Sequence, residues 1–152
     1  MPRRAEVIER LAAADLLPAI TFIFSRAGCE AAAEQVAASN VRLTTPAEAE
    51  QITIVAETRC AHLPAADLTL LGFGSWVDLL RRGIAAHHAG MLPVFKEVVE
   101  ELFAAGLVKC VFATETLALG INMPARSVVL EKLTKWNGET HAEITPGEYT
   151  QL

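Results

Sequence analysis

The sequence has no apolar run close to the roughly 20 residues that a membrane-spanning helix requires. It contains only three cysteines, Cys29, Cys60 and Cys110, and none of them forms a Cys-x-x-Cys pair. Such wide spacing is typical neither of a metal site nor of a disulfide framework, and it suits a reducing compartment. We therefore expect a soluble cytoplasmic protein without a membrane segment, a metal site or structural disulfides.

Positive charge is also scarce. The 13 Lys and Arg residues are outnumbered by 18 Asp and Glu residues, which gives a net charge of −5 at pH 7. A protein that binds nucleic acid through a broad basic surface usually has the opposite balance, so any such site here must consist of a few specific donors. The hydrophobic content of 52% over 152 residues argues against disorder and allows one domain with a real core.

The common catalytic motifs are missing. The sequence has no Gly-x-Ser-x-Gly elbow, and Gly72-Phe73-Gly74 begins a dinucleotide fingerprint that fails because Val77 stands at its third glycine. The adjacent His87 and His88 point to opposite faces if they lie on a strand, which disfavours a shared metal. No Gly-x-x-x-x-Gly-Lys-Ser/Thr loop is present, so the chain can supply only the second side of an ATP site.

The elements that are present alternate between strand and helix. Short apolar runs predict buried strands, and helical patterns with Thr, Ser or Pro at their starts separate them. This order predicts an α/β domain around a parallel sheet. The predicted strands are 19–24, 83–87, 107–113 and 127–130. The predicted helices are the N-terminal segment, about 27–38, from Thr45 to about Cys60, a short one starting at Ser75, 93–105 and one starting at Thr145, with 62–74 as a loop.

Polar residues follow three of these strands where each strand ends. They are Ser25 and Arg26, the segment from His88 to Gly90, and Thr114. Because ligands of parallel α/β sheets bind at the carboxyl ends of the strands, these residues form one candidate site. Hydroxyls, a guanidinium and backbone N–H groups suit the phosphates of a nucleic-acid strand. The alternative is that Ser25 caps a helix, Arg26 is a surface charge and Thr114 merely ends a strand.

Three segments together resemble one enzyme family. They are FIFSR (22–26), HHAGMLPVFKEVVEELF (87–103) and VFATETLALGINMPA (111–125). In this order and spacing they resemble the second RecA-like lobe of a DExH-box superfamily-two helicase, in the superkiller-like branch and within it the HelY-type helicases of actinobacteria. The resemblance spans residues 1–152, with a helical insert at about 40–82. It implies a RecA-like parallel sheet flanked by helices and truncated at its C-terminal end.

The resemblance implies a nucleic-acid site. Ser25 and Arg26 match the family's fourth motif, which grips the nucleic-acid backbone. His88 and Gly90 match the HHAG segment on the same side, and Thr114 matches the fifth-motif threonine that contacts a phosphate. The implied partners are single-stranded RNA or DNA and the first RecA-like lobe of the same protein, with no membrane.

The resemblance also implies a nucleotide side. Gly120 and Asn122 match the Gly-x-Asp/Asn step that lines the ATP ribose and couples the two lobes. Gln151 matches the first residue of the sixth motif, whose later arginines stabilise the transferring phosphate. ATP and Mg would be bound mainly by the first lobe, which these 152 residues do not contain. The parent would be a nucleic-acid-dependent ATPase, and this part alone would be inactive, with no catalytic residue of its own.

The end of the sequence favours a fragment. The predicted helix that starts at Thr145 would have only about two turns before Leu152, too few to be stable alone. We therefore expect part of an ATP-dependent RNA or DNA helicase that contributes backbone grip and one side of the ATP cleft. The alternative is a stand-alone, non-catalytic module of the same fold that binds nucleic acid or protein, which the acidic charge favours.

Overall fold

A computed structural model describes residues 3–114, 125–136, 139–144 and 150–151, with side chains described for residues 3–114 and 125–131. The described helices are α1 (Arg4–Ala13), α2 (Arg26–Ala38), α3 (Pro46–Arg59), α4 (Ala65–Leu70), α5 (Phe73–Arg81) and α6 (Pro93–Ala104). The described strands are β1 (Ala19–Phe22), β2 (Ile84–His87), β3 (Cys110–Ala113), β4 (Ser127–Trp136), β5 (Glu139–Ile144) and β6 (Thr150–Gln151). No described helix is long and apolar enough to cross a membrane.

The sheet has the order β2-β3-β1-β4-β5, and its first four strands are parallel. The predicted α/β fold, a parallel sheet flanked by helices, is therefore confirmed. Two antiparallel strands of the sheet were not predicted. They are β5 and β6, and both pair with β4. β4 itself extends six residues beyond its predicted end at Leu130, to Trp136.

Helices cover both faces of the parallel strands. One buried cluster joins α1 and α2 to one face, and a second joins α3, α5 and α6 to the other. The strand β2 shows how the pleat divides them, because Ile84 and Ala86 belong to the first cluster and Ala85 to the second. The same alternation continues through His87, the last residue of β2, and His88, which follows it. The two adjacent histidines therefore face different helical layers.

The predicted start of α3 is confirmed in detail. The Thr45 hydroxyl accepts a hydrogen bond from the Glu48 N–H at 3.1 Å, and the Glu48 carboxylate accepts one from the Thr45 N–H at 2.9 Å. Pro46 occupies the first helical position, where its missing N–H is not needed. The helix ends at Arg59, one residue before the predicted end at Cys60.

The prediction for residues 62–74 is wrong. The structure places α4 inside this stretch and begins α5 at Phe73, two residues before the cap that was predicted at Ser75. Pro64 and Gly72 lie at helix boundaries rather than inside a loop, since Pro64 directly precedes α4 and Gly72 directly precedes α5. Gly72 has φ = 71°, a left-handed conformation that lets the chain turn between the helices.

The prediction of a helix at the end of the chain is wrong for the two residues of it that the structure describes. Its start at residues 145–148 lies outside the described residues, but Thr150 and Gln151 form β6 and pair with Val128 and Ser127. The first residues of β4 have backbone N–H and C=O groups on the side away from β1, and pairing with β6 satisfies their hydrogen bonds.

Candidate functional site

Three parallel strands end in the same row of the sheet. Phe22 of β1 and His87 of β2 are both in register with Ala113 of β3, which lies between them. The Ile23 N–H continues the ladder by donating to the Ala113 carbonyl at 2.8 Å. The residues after these strands therefore emerge along one edge of the sheet, called the carboxyl edge below. The structure brings together there all five residues assigned to the nucleic-acid site from the sequence.

Ser25 and Arg26 reach the carboxyl edge at the start of α2. The Ser25 side chain caps this helix, because its hydroxyl oxygen accepts a hydrogen bond from the Gly28 N–H at 2.9 Å. Arg26 is the first residue of the helix and is exposed. The N-terminus of a helix carries partial positive charge, and the guanidinium adds a full one. This end of α2 therefore presents the donors that an anion requires.

His88 is buried, with 6% of its surface exposed, and both of its ring nitrogens have partners. Nδ1 accepts a hydrogen bond from the Gly90 N–H at 3.1 Å, so Nδ1 carries no hydrogen. Nε2–H therefore donates to the Glu30 carboxylate of α2, 3.0 Å away. The imidazole thus ties the loop after β2 to the second turn of α2.

Gly90 lies in close contact with both His88 and Arg26. A methyl group built on its Cα would lie 3.1 Å from His88 Nδ1 and 3.3 Å from Arg26 Cδ. The Arg26 stem is thus packed against the glycine, and no described residue forms an ion pair with its guanidinium. A side chain at position 90 would displace one of these two neighbours.

His87 belongs to the opposite face of the sheet. Its Nε2 lies 2.8 Å from the Glu100 carboxylate of α6, and its side chain is 5% exposed. The two adjacent histidines therefore have different carboxylate partners on different layers. No group of three or more His, Cys, Asp or Glu residues in the described part of the chain is arranged to hold a metal ion.

Thr114 follows the middle strand of the three. Its N–H donates to the His87 carbonyl at 3.4 Å, which places it between the segments that leave β1 and β2. It is partly exposed. The order of the strands, β2-β3-β1, thus puts Thr114 between the HHAG segment and the start of α2.

Of the three residues assigned to the nucleotide side, the structure describes only Gln151. Gly120 and Asn122 lie outside the described residues. The backbone of Gln151 pairs with Ser127, the first residue of β4, and Ser127 is in register with Ala19, the first residue of β1. Gln151 therefore lies at the end of the sheet where the strands begin, opposite the carboxyl edge.

The thiols offer no nucleophile. Burial, together with the nearby negative charges of Glu131 and Glu30, raises the pKa of Cys29 to about 11. Burial also raises the pKa of Cys110 and Cys60. All three cysteines are free and buried. A thiol that stays protonated in the core is neither a good nucleophile nor a good metal ligand.

No protein-family model matches the chain. Proteins of similar sequence do exist. The chain is 63% identical over 151 residues to a protein named Probable helicase HelY from Mycobacterium tuberculosis, a match that covers 99% of the chain and 17% of that relative. It is 40% identical over 146 residues to an Arabidopsis thaliana protein named DExH-box ATP-dependent RNA helicase DExH11, and 39% identical over 147 residues to the antiviral helicase SKI2 of Saccharomyces cerevisiae. The chain is homologous to a segment of the HelY and Ski2-like DExH helicases.

The homology extends over nearly the whole chain but over little of each relative. The match covers 96% of this chain and 11% of the Arabidopsis helicase, and 97% of this chain and 11% of the yeast helicase. The chain therefore spans only a small part of the length of the relatives that it matches. The predicted relationship to the superkiller-like branch and to HelY-type helicases is confirmed.

One contact at the carboxyl edge was not predicted from the sequence. Glu30 partners His88, but it lies five residues after the Ser25 cap and was not among the site residues assigned from the sequence. A signal was available, because Glu30 is the first acidic residue of α2 and it lies one residue after the buried Cys29. Its partner could not be read from the sequence, because His88 is 58 positions away and only the fold brings it close.

Proposed function

We propose that the carboxyl edge of this helicase segment binds the sugar-phosphate backbone of a single-stranded RNA or DNA. The observation that carries the proposal is the cluster at the start of α2, where an exposed Arg26, which forms no ion pair with any described residue, packs against Gly90 beside a helix N-terminus. Such contacts grip phosphates without reading bases. Three relatives carry helicase names, and the DExH11 name specifies an RNA helicase, which supports a nucleic-acid partner.

In this proposal Ser25, Arg26 and Thr114 contact phosphate, together with backbone N–H groups near Gly90. The Ser25 oxygen is occupied as a cap acceptor, but its hydroxyl hydrogen can still donate. His88 takes a different part, because both of its nitrogens are already bonded within the protein. It would position the Gly90 loop rather than touch the strand.

We further propose that residues 1–152 form part of the second RecA-like lobe of a longer ATPase, with the three helices α3, α4 and α5 as an insert between α2 and β2. Gly120 and Asn122 would face the nucleotide, and a first lobe would bind most of the ATP and Mg. Gln151 is left out of this assignment, because its backbone pairs at the end of the sheet opposite the carboxyl edge. Closure of two lobes on ATP and on a strand, followed by reopening after hydrolysis, would move the strand. The chain alone lacks a phosphate-binding loop, so we expect no ATP turnover from it, with or without RNA.

The deciding experiment measures the binding of a fluorescein-labelled single-stranded RNA by anisotropy across a salt series. For backbone contacts alone we expect a dissociation constant of about 10⁻⁴ to 10⁻⁶ M. The Arg26→Ala variant should bind more weakly and lose about one unit of salt slope. The matched control is Arg10→Ala, which removes an exposed arginine from α1. If both variants lose the same affinity, Arg26 contributes only general charge and the assignment is wrong.

A further inference from the structure

Helix α4 and the turn after it expose apolar side chains that the fold does not use. No residue of α4 is buried, Leu70 is 85% exposed and Leu71 is 43% exposed. Two hollows lie on either side of Leu71, and both have Leu71 in their walls. The pair of hollows with the Leu70–Leu71 ridge is called the α4 trough below. It involves none of the five residues of the carboxyl edge.

The first hollow has a volume of about 240 Å³ and a rigid aromatic wall. Trp76 and Phe95 line the hollow and stack with their ring centroids 4.0 Å apart and an angle of 10° between the rings. Behind them, the ring centroid of Phe73 lies 5.8 Å from that of Trp76. Met91 adds a side chain that adapts to different partners. Trp76 is partly buried; its indole N–H is shielded from water and has no hydrogen-bond partner among the described residues, which is uncommon for a shielded indole N–H.

The second hollow has a volume of about 290 Å³ and is almost entirely aliphatic. Leu63, Leu70, Leu71 and Leu92 form its walls, and Asp67 is its one charged residue. Both hollows are smaller than the roughly 300–1,000 Å³ of sites for drug-sized molecules. Each is therefore suited to one large apolar side chain of a partner, with Leu71 between the two anchors.

The charge around the trough has one sign. Glu34 lines the first hollow and Asp67 the second; both are exposed, and neither forms an ion pair with any described residue. Glu30 also lines the first hollow but is paired with His88. Arg59 lines a separate hollow, which shares Leu63 and Leu92 with the second one, and it forms ion pairs with Glu97 and Glu101. Unpaired carboxylates repel phosphates and attract Lys and Arg.

From this combination we propose that the α4 trough binds a short basic segment of another polypeptide, which inserts two large apolar side chains and places Lys or Arg beside Glu34 and Asp67. Apolar anchors in adjacent pockets, with charges at the rim, are how short segments reach useful affinity and orientation. The proposal does not depend on the nucleic-acid function of the carboxyl edge.

The test uses the full 152-residue chain and two labelled synthetic peptides of about 14 residues, long enough to form a helix. One peptide consists of Leu and Lys with the leucines on one helical face, and in the other every Lys is replaced by Glu. We expect the Leu/Lys peptide to bind about tenfold more tightly, a difference of about 1.4 kcal/mol. This preference should shrink between about 50 and 200 mM salt, because exposed charges are screened. Binding should also change the fluorescence of Trp76, measured in a Trp136→Phe variant that leaves Trp76 as the only tryptophan.

Matched variants distinguish binding at the trough from non-specific binding of the peptide. Leu70→Ser combined with Leu71→Ser should weaken the binding of the Leu/Lys peptide about tenfold, a loss in the range expected when apolar contact residues are truncated. Ile54→Ser removes a side chain that is 56% exposed outside the trough and should leave binding unchanged. Asp67→Lys should weaken the Leu/Lys peptide and strengthen the Leu/Glu peptide, whereas Glu9→Lys on α1 should alter neither by more than general charge requires.

Three results would overturn the proposal. Equal binding of the two peptides would show that the carboxylates do not select a basic partner. A chain that dimerises in sedimentation runs, and becomes monomeric as Leu70→Ser, would show that a second copy occupies the trough. A labelled RNA whose affinity falls in the leucine variants would show a nucleic-acid surface instead.

Discussion

The imidazole of His88 and the carboxylate of Glu30 lie 3.0 Å apart and join the loop after β2 to helix α2. The histidine side chain is 7% exposed and the glutamate side chain 59% exposed. A carboxylate at the surface therefore accepts the hydrogen bond of a buried imidazole. Because the other ring nitrogen accepts from Gly90, this one pair fixes both the tautomer of His88 and the position of the glycine.

The hydrogen bond from His88 can be separated from the charge of Glu30. Glu30→Gln keeps an oxygen that accepts from Nε2–H but removes a negative charge near the proposed phosphate site, so we expect RNA affinity to stay the same or to rise slightly. Glu30→Ala removes both and should bind RNA about three- to tenfold more weakly than Glu30→Gln, in keeping with the loss of one hydrogen bond to a neutral acceptor. Anisotropy measures both. Equal affinity of the two variants would mean that the hydrogen bond does not position the site.

Gly90→Ala should weaken nucleic-acid binding without unfolding the chain. The added methyl group would lie 3.1 Å from His88 Nδ1 and 3.3 Å from Arg26 Cδ, so one of them must shift by a few tenths of an ångström. We expect a loss of about tenfold in RNA affinity, or about 1.4 kcal/mol. Gly74→Ala is the matched control, because nothing lies within 4 Å of its added methyl group. A Gly90→Ala variant that binds like Gly74→Ala would remove Gly90 from the site.

Arg4 and Glu131 form a buried ion pair that fastens α1 to β4. The guanidinium Nε lies 3.1 and 3.0 Å from the two carboxylate oxygens, and the Glu131 side chain is 2% exposed. Arg4→Ala leaves a buried carboxylate without its cation and should lower the free energy of unfolding by about 3–5 kcal/mol in urea titrations. Arg3→Ala breaks an exposed pair with Glu6 and should cost about 0–1 kcal/mol. Similar losses in the two variants would show that burial does not strengthen the Arg4 pair.

Stability should depend on pH through Glu48. Hydrogen bonds from the Thr45 backbone first, and then from the Lys109 side chain, lower the pKa of this carboxyl from its ordinary value of 4.5. A lowered pKa in the folded state means that the stabilisation is fully present above the unfolded value and is lost as the pH falls through the folded one. Glu48→Gln should therefore be less stable than the parent chain at pH 7, with the gap closing below about pH 4.

The control for this pH dependence is Glu57→Gln on the same helix. Glu57 is exposed and has no ion pair with any described residue, so its replacement should leave the pH profile of urea unfolding unchanged. A constant gap between Glu48→Gln and the parent chain from pH 7 to about pH 3 would contradict the proposed role of the ionised carboxylate.

Elements with strong local signals could be predicted from the sequence. The capping box at Thr45 and the prolines at the starts of α3 and α6 fixed those helices to within a residue or two. The region from residue 62 to 74 was misjudged because Pro64 and Gly72 were taken to break helices, whereas they stand at helix ends. The extension of the sheet was missed although Asn137-Gly138 is a well-known hairpin signal between β4 and β5.

The sequence by itself determined the alternation of strands and helices, the parallel core of the sheet and the relationship to HelY and Ski2-like helicases, because periodicity, caps and motifs are written along the chain. Only the tertiary structure decided which partners meet. The pleat directs His87 to Glu100 of α6 and His88 to Glu30 of α2, and the strand order places Thr114 between the HHAG segment and the start of α2. The exposure of Leu70 also depends on what packs nearby. Contacts between residues far apart in the chain arise from packing, which no local pattern encodes.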